Sequence, residues 1–266
     1  MPEITMGEEP ELRRKLKELL EKEGMKIYTS AKVEEVSEYK GGILLKILHD
    51  NKKMEVIGSH ILIAVGRRAN TEHTGIERVG VELDDRGFIK VDDYLQTTNK
   101  DIYGAGDCIN RMLLVTTAAM EGAVAAENAL LGNRKRIDYL PVPRAIFTDP
   151  ELASVGFTEE EARKRGMDVE TRVLDFTKVP RAIISLKNHG LIKMVVEKGS
   201  RRILGVHMLS PHGAELIHKA VPLIKYGLRL EDVIDMVDVY STLSEAIKLC
   251  AQSFYKDISK LSCCAV

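Results

Sequence analysis

Tryptophan is absent from this chain, aromatic residues make up only 5% of it, and cysteine occurs four times. No apolar run approaches the roughly 18–20 residues that a membrane-spanning helix needs, so we expect no transmembrane segment. An excess of charge is also lacking, because 39 Lys and Arg residues against 40 Asp and Glu residues leave a formal net charge of −1 over 266 residues. This balance gives no electrostatic case for binding to nucleic acid or to a membrane surface.

The cysteines and the N-terminus together indicate a reducing compartment. The first residues lack the basic-then-apolar pattern of a secretory signal, which favours a cytoplasmic location. Cysteine positions 108, 250, 263 and 264 match neither a zinc-site spacing nor a Cys-x-x-Cys pair. We therefore expect free thiols. Cys108 and Cys250 lie among apolar neighbours and are predicted to be buried.

What is present is typical of a folded protein with more than one core, since 44% of the residues are hydrophobic and 30% are charged. Apolar spacing in the first half predicts two helices, and β-rich runs between glycine and polar clusters predict short strands, the first two joined by a hairpin. The predicted helices cover 8–23 and 116–131, and the predicted strands lie near 33–36, 43–48, 61–64 and 88–91.

The second half follows a different pattern, in which strands and helices alternate irregularly. Thr158 and Glu161 form a capping box that predicts a short helix, and Pro222 is expected to interrupt a later one. Histidines at 189, 207, 212 and 218 have no metal-site spacing, and most of them are expected at the surface or at an interface. Strands are predicted near 169–176, 191–197 and 203–209, and helices near 214–226, 230–236 and 242–258.

The segment Ile102–Asp107 reads as a strand that presents an acid beyond two glycines, Gly104 and Gly106. Glycines allow a ligand to approach the backbone, and a carboxylate at a strand tip can accept hydrogen bonds from sugar-like hydroxyls. A Gly-x-Gly-Asp sequence is also common in ordinary turns. Both interpretations stay open on this segment alone.

In context, the run from Thr97 to Asp107 and the alanine-rich helix after it resemble the second flavin-binding motif of the pyridine-nucleotide disulfide oxidoreductases. Upstream, residues 61–67 resemble the passage by which that family returns from its nicotinamide domain to its flavin domain. The resemblance implies that Asp107 binds the ribityl chain of FAD and that Val115 lies against the flavin. It also places Gly66, Gly104 and Gly106 in the cofactor site.

Downstream, Tyr240 to Glu245 opens the last long helix. Most members of the family carry His at the first of these positions and Glu at the last, a pair in which the acid orients a base. Tyrosine, with a reference pKa near 10, is a poor base at neutral pH but a serviceable ligand or hydrogen-bond donor. The alternative is a purely structural arrangement, in which a tyrosine precedes the helix and an acid in its first turn stabilises the helix dipole.

The last six residues contain two adjacent thiols, Cys263 and Cys264. Exposed thiols oxidise, and thiolates are soft ligands suited to a soft cation. The alternatives are an incidental pair or a lipidation site. The tail is not a C-a-a-X prenylation box: Cys263 is the fourth residue from the end, but the next residue, which should be aliphatic, is Cys264.

These segments, together with Phe147–Pro150 and Val179–Ala182, resemble the mercuric reductase branch of the family in the expected order. The resemblance implies a flavin-dependent oxidoreductase that reduces Hg(II) to Hg(0) with NADPH. It implies that Cys263 and Cys264 capture Hg(II) and pass it to the partner subunit, that Tyr240 helps to guide the metal, and that Glu245 lines the active site. A homodimer is expected to form through residues 139–266.

Two signatures of that family are missing from this sequence: a Gly-x-Gly-x-x-Gly loop and a spaced redox dithiol. We therefore expect a C-terminal portion with little activity of its own, for which an N-terminal half would be a partner. The expected fold is α/β plus α+β. It comprises the end of a Rossmann-like NAD(P)H-binding domain (1–67), the end of an FAD-binding domain (68–138) and a dimerisation domain (139–266).

Two other classes stay open. One is a different flavin disulfide reductase, of the dihydrolipoamide dehydrogenase or thioredoxin reductase type, whose tail thiols act on a disulfide. The other is a non-enzymatic thiol-bearing dimer module that binds soft metals. Turnover with a disulfide favours the first, and stoichiometric Hg(II) binding by a chain without flavin favours the second.

Overall fold

The computed structural model describes residues 1–260, which form two compact units: 62–139 is one, and 1–61 combine with the described residues from Leu140 onward in the other. The expected division at 67 and 138 into three domains stays a prediction. The helices α1 to α8 span Pro10–Lys22, Val115–Leu131, Glu159–Lys164, Pro180–Ile184, Gly213–Leu216, Val221–Lys225, Leu230–Asp235 and Glu245–Gln252. The strands β1 to β8 span Lys32–Tyr39, Gly42–His49, Lys52–Gly58, Arg144–Ile146, Glu151–Gly156, Val169–Asp175, Leu191–Glu197 and Ile203–Ser210.

The larger unit contains a five-stranded antiparallel sheet in the order β4-β5-β8-β7-β6. Its inner strands are buried along almost their whole length, rather than at every second residue. A sheet shows this pattern when both of its faces are covered. Helices α6, α7 and α8 contribute to the core on one face, and α1 packs on the other.

Helix α1 is amphipathic, as its leucine spacing predicts. Leu12 and Leu16 are fully buried against Leu152, Leu191 and Leu209, which lie side by side on β5, β7 and β8. Burying two leucines contributes on the order of 3–6 kcal/mol. This burial fixes the helix axis on the sheet.

A polar row lies beside that leucine row on the same face. Ser154, His207 and Lys193 are cross-strand neighbours on β5, β8 and β7, and all three are buried. Glu8 accepts a hydrogen bond from the Ser154 hydroxyl and pairs with Arg144 at 2.8 Å. The residues just before α1 therefore supply the acids that the sheet's polar groups require.

Lys193 is 1% exposed, and its ammonium contacts three carboxylates: Glu9 at 2.8 Å, Glu11 at 3.0 Å and Glu159 at 2.8 Å. Burial alone lowers the pKa of Lys193, but hydrogen bonds to Glu159 and Glu9 outweigh it and raise the pKa above its usual value. The lysine is therefore charged, and it joins α3 and the start of α1 to the sheet.

His207 is an exception to the expectation that most histidines lie at the surface or an interface, because it is fully buried. Its Nε2 lies 2.9 Å from the Phe157 carbonyl oxygen and 4.0 Å from a carboxylate oxygen of Glu9. Burial lowers the pKa of His207 to about 4, the Phe157 hydrogen bond opposing the shift. The sequence pattern does not reveal this burial because the carbonyl that accommodates the ring, that of Phe157, is 50 residues away along the chain.

The smaller unit, residues 62–139, is built around α2, whose predicted extent of 116–131 is confirmed as Val115–Leu131. The strand expected at 61–64 is wrong: these residues belong to no strand, and Leu62 and Ile63 are exposed. A strand is defined by hydrogen bonds to a neighbour, and no strand of the described residues pairs with this segment. Around 88–91 the structure has isolated bridges instead of a strand.

Other local predictions are confirmed with altered bounds. Strands β1 and β2 form the expected hairpin through Lys40 and Gly41, both with positive φ. The Thr158 capping box opens α3. The helix expected over 214–226 is divided into α5 and α6, with Pro222 in the first turn of α6. Among the described residues, no helix combines the length and the apolar character needed to cross a membrane.

We predict that Lys193→Met lowers the free energy of unfolding by about 3–5 kcal/mol, because it leaves the buried Glu9 carboxylate without its cation. Urea unfolding followed by circular dichroism measures the change. Lys164→Met is the matched control, since Lys164 pairs with Glu160 at 2.5 Å on an exposed helix face. Equal effects of the two substitutions would contradict the structural role given to Lys193.

We also predict that His207 makes the fold acid-sensitive. A base whose pKa is lowered by folding contributes stability that is complete above its unfolded value of 6.5 and is lost as the pH falls toward 4. As the pH is lowered through that window, the free energy of unfolding should decrease more steeply in the native chain than in His207→Gln. The difference in slope should be up to about 1.4 kcal/mol per pH unit. Parallel pH profiles for the two chains would show that His207 does not titrate in this way.

Candidate functional site

The turn that presents Asp107 is fixed by hydrogen bonds within the smaller unit. Gly106 begins a short 3₁₀ turn, Gly106–Ile109, with a φ of +80° that favours glycine. Its N–H donates to Glu121 Oε2 at 2.7 Å, and the Tyr139 hydroxyl donates to Glu121 Oε1 at 2.8 Å. Glu121 is fully buried. This buried acid on α2 therefore holds the backbone that aims Asp107.

Asp107 itself forms an ion pair with Arg67, with Nη1 and Oδ2 separated by 2.9 Å. Both side chains are more than half exposed, so solvent weakens the pair. A cavity of about 280 Å³ adjoins them, and its lining includes Asn70, Cys108 and Leu113. The sequence places Gly66, which has a φ of +111°, immediately before Arg67.

The residues of this cavity fit one segment of a flavin cofactor. An accessible carboxylate accepts hydrogen bonds from ribityl hydroxyls, and a guanidinium donates to hydroxyls or phosphate. The volume is below the roughly 300–1,000 Å³ of pockets that enclose a whole drug-sized ligand. The fit therefore extends to the polyhydroxyl chain near Asp107 and not to the complete dinucleotide.

The other residues predicted for the cofactor site differ in their surroundings. Val115 is 89% exposed at the first position of α2 and is free to contact a ligand. At Gly104, a Cβ atom would lie 2.8 Å from Ile109 Cγ2 and 3.1 Å from Val91 Cγ1. Internal packing thus explains glycine at this position, and a role of Gly104 in binding FAD stays a prediction.

Tyr240 lies in the connection between α7 and α8, with its side chain 55% exposed. Glu245 is the first residue of α8, and its Oε2 accepts a hydrogen bond from the Thr242 N–H at 3.1 Å. This contact gives Glu245 a capping function at the start of the helix. Any part that Glu245 plays in chemistry stays a prediction.

The thiols within the described residues are poor metal ligands at neutral pH. Cys250 is fully buried, and burial raises its pKa to about 12. Burial also raises the pKa of the half-buried Cys108. Since thiolates are the reactive and metal-binding form, a raised pKa makes each of these thiols a weaker ligand than an unperturbed, exposed thiol. Within residues 1–260, no group of three or more His, Cys, Asp or Glu side chains is arranged so that it could hold a metal ion, and the predicted ligands Cys263 and Cys264 lie outside the described residues.

Sequence reasoning missed two residues of this site, Arg67 and Glu121. Arg67 stood in the resembling segment without a role, because its pairing with Asp107 spans 40 residues of sequence. Glu121 is an acid within an alanine-rich helix. A charged residue on a face expected to be buried is the signal that can identify such a group.

Comparison with protein families gives two matches that together cover most of the chain. Residues 1–122 match the model "Pyridine nucleotide-disulphide oxidoreductase", and residues 142–251 match the model "Pyridine nucleotide-disulphide oxidoreductase, dimerisation domain". The second match begins close to the boundary expected at 139.

Among curated relatives, the mercuric reductase of Streptomyces lividans is 38% identical over 98% of this chain and 55% of its own length. That of Staphylococcus aureus is 35% identical over 97% of this chain and 47% of its own length. The chain thus spans about half the length of the curated relatives it matches.

Two solved structures are similar to this chain over almost its whole length. LpdA from Mycobacterium tuberculosis superimposes with a TM-score of 0.84 at 27% identity, over 94% of this chain and 54% of its own. The HOCl-induced flavoprotein disulfide reductase RclA from Escherichia coli superimposes with a TM-score of 0.83 at 26% identity, over 95% of this chain and 57% of its own. The chain belongs to the pyridine nucleotide-disulphide oxidoreductase family.

Proposed function

We propose that this chain is the C-terminal portion of a flavin-dependent mercuric reductase, an oxidoreductase of the cytoplasm that uses NADPH to reduce Hg(II) to Hg(0). The observation that carries the proposal is the similarity to mercuric reductases along 97–98% of the chain. Tyrosine at position 240 and the adjacent thiols at 263 and 264 are the features that favour this branch of the family.

In the proposed enzyme, FAD supplies the capacity to accept a hydride from NADPH and deliver electrons onward. This chain contributes Asp107, whose carboxylate orients the ribityl chain, and Arg67, whose guanidinium balances that charge at 2.9 Å. Val115, exposed at the first position of α2, is assigned an apolar contact with the flavin. No residue of this chain is assigned to NADPH, because the sequence has no glycine-rich dinucleotide loop.

The metal path uses different residues. Cys263 and Cys264 provide two soft ligands for Hg(II), and a dimer formed through residues 139–266 brings them to the partner subunit. Tyr240 is exposed and offers a phenol oxygen to the metal during that transfer. With no redox dithiol in its sequence, the chain alone is expected to have little or no activity.

A second candidate is another flavin disulfide reductase, favoured by the structural similarity to RclA and LpdA. In that case the tail thiols exchange with a disulfide instead of binding a metal. NADPH oxidation supported by a disulfide substrate, and not by Hg(II), distinguishes it. A non-enzymatic thiol module instead predicts Hg(II) binding with no flavin bound.

We predict that Cys263→Ala/Cys264→Ala abolishes tight Hg(II) capture by the chain. Ultraviolet titration of the mercury–thiolate band, in competition with a small thiol buffer, measures the stoichiometry. The native chain should bind one equivalent, because two thiolates form a linear soft-metal site. Cys108→Ala is the control, since the half-buried Cys108 thiol has a raised pKa. Retention of the equivalent in the double variant, or its loss in Cys108→Ala, would contradict the assignment.

A further inference from the structure

The segment between α7 and α8, residues 236–244, presents its side chains in two directions. Val237 and Val239 are 96% and 76% exposed, and Tyr240 is also exposed. Asp238, between the two valines, has a side chain only 13% exposed. An apolar pair turned outward and a charged residue turned inward is the reverse of the usual preference. Some local interaction must therefore offset the cost of burying this carboxylate.

Lys219 provides that interaction. It ends the short 3₁₀ turn Ile217–Lys219, and its Nζ lies 2.5 Å from Asp238 Oδ1. The same ammonium donates to the Ser244 carbonyl oxygen at 3.4 Å. One lysine thus contacts the segment on both sides of Tyr240, two residues before it and four residues after it.

The dependence of Asp238 on this lysine is strong. Its second oxygen, Oδ2, is buried and has no hydrogen-bond partner within residues 1–260. Both side chains are at least three-quarters buried, so solvent screens the pair less than it screens an exposed one. Removing Lys219 would leave a poorly solvated carboxylate, and the segment would have to turn Asp238 outward to hydrate it.

Two other contacts lie near the ends of the segment. Lys248 donates to the Met236 carbonyl oxygen at 2.7 Å, and Glu245 accepts from the Thr242 N–H at 3.1 Å. They fix where α7 ends and where α8 begins. Lys219 engages the middle of the segment through Asp238, two residues before Tyr240.

We propose that Lys219 and Asp238 are positioning residues whose ion pair holds the 236–244 segment in the one conformation that presents Tyr240 outward. What Tyr240 then does for Hg(II) rests on the proposed function. The effect of the ion pair on the conformation of the segment does not depend on that role, and it is tested by measurements that need no turnover.

The experiment uses the full chain with 3-fluorotyrosine placed at position 240. Fluorine NMR reports the surroundings of this one ring, and hydrogen exchange followed by mass spectrometry reports the backbone of 236–244. Lys219→Met keeps the aliphatic stem and removes the charge. Lys225→Met is the matched control, because this lysine of α6 contacts only the neighbouring Tyr226 ring among the interactions observed.

Lys219→Met should accelerate exchange within 236–244 by roughly ten-fold or more, since charge-assisted hydrogen bonds are among the stronger ones. It should also move the fluorine resonance toward that of free fluorotyrosine. Lys219→Arg should restore both signals, and Lys225→Met should change neither. Native-like signals in Lys219→Met, or equal acceleration in the β7 peptide 191–197, would overturn the proposal.

Asp238→Asn is the second variant, used if Lys219→Met does not fold. It keeps the shape and an acceptor but removes the charge, so both signals should change in the same direction by a smaller amount. A folded Asp238→Asn chain with native exchange and fluorine signals would also overturn the proposal. Failure of the proposed function is recognised by a different result: Hg(II) binding would survive the loss of Cys263 and Cys264. In that case Lys219→Met would still change the exchange of 236–244 and the fluorine signal of residue 240, and the inference about the ion pair would stand.

Discussion

A charged lysine buried in a five-stranded sheet is the constraint on which the larger unit depends. Lys193 is stable there only because Glu9, Glu11 and Glu159 surround its ammonium at 2.8–3.0 Å. An isolated buried charge costs several kcal/mol, so the fold must bring these acids to the sheet. Two of the three come from the N-terminal end of α1. The leucine row then gives this helix its apolar contact, and the polar row fixes its register.

The same principle, a buried or largely buried charge satisfied by specific partners, recurs at the functional elements. Glu121 is buried and holds the Gly106 backbone, which aims Asp107. Lys219 and Asp238 engage the segment that carries Tyr240. In each case the residue proposed to meet a ligand is exposed, and the residue that orients it is not. Exposed groups thus bind, and buried ionic or hydrogen-bonded groups position them.

How much of this was predictable from sequence depends on whether the signal was local. The Thr158 capping box, the interruption at Pro222 and the extent of α2 follow from neighbouring residues and agree with the structure. The strand expected at 61–64 has the right composition, yet a strand needs a partner that composition cannot supply.

The buried polar residues were not predictable, since each depends on pairing across long sequence separations. The burial of His207 was not predicted because a histidine in an apolar strand carries no mark of the carbonyl it will meet, that of Phe157, 50 residues away. Arg67 and Asp107 are 40 residues apart. The flavin motif and Tyr240 were found because they resemble a known family, and their roles at the site remain proposals.

The central claim is that this chain supplies the flavin-orienting acid, the dimer interface and the metal-capturing thiols of a mercuric reductase. The most direct test joins it to the part of the Streptomyces lividans enzyme that lies outside the 55% covered by this chain. Hg(II)-dependent NADPH oxidation is then measured with FAD and excess thiol. The account predicts that the fusion turns over Hg(II) and that the 266-residue chain alone does not. A folded, flavin-bearing fusion that oxidises NADPH with a disulfide but not with Hg(II) would contradict it.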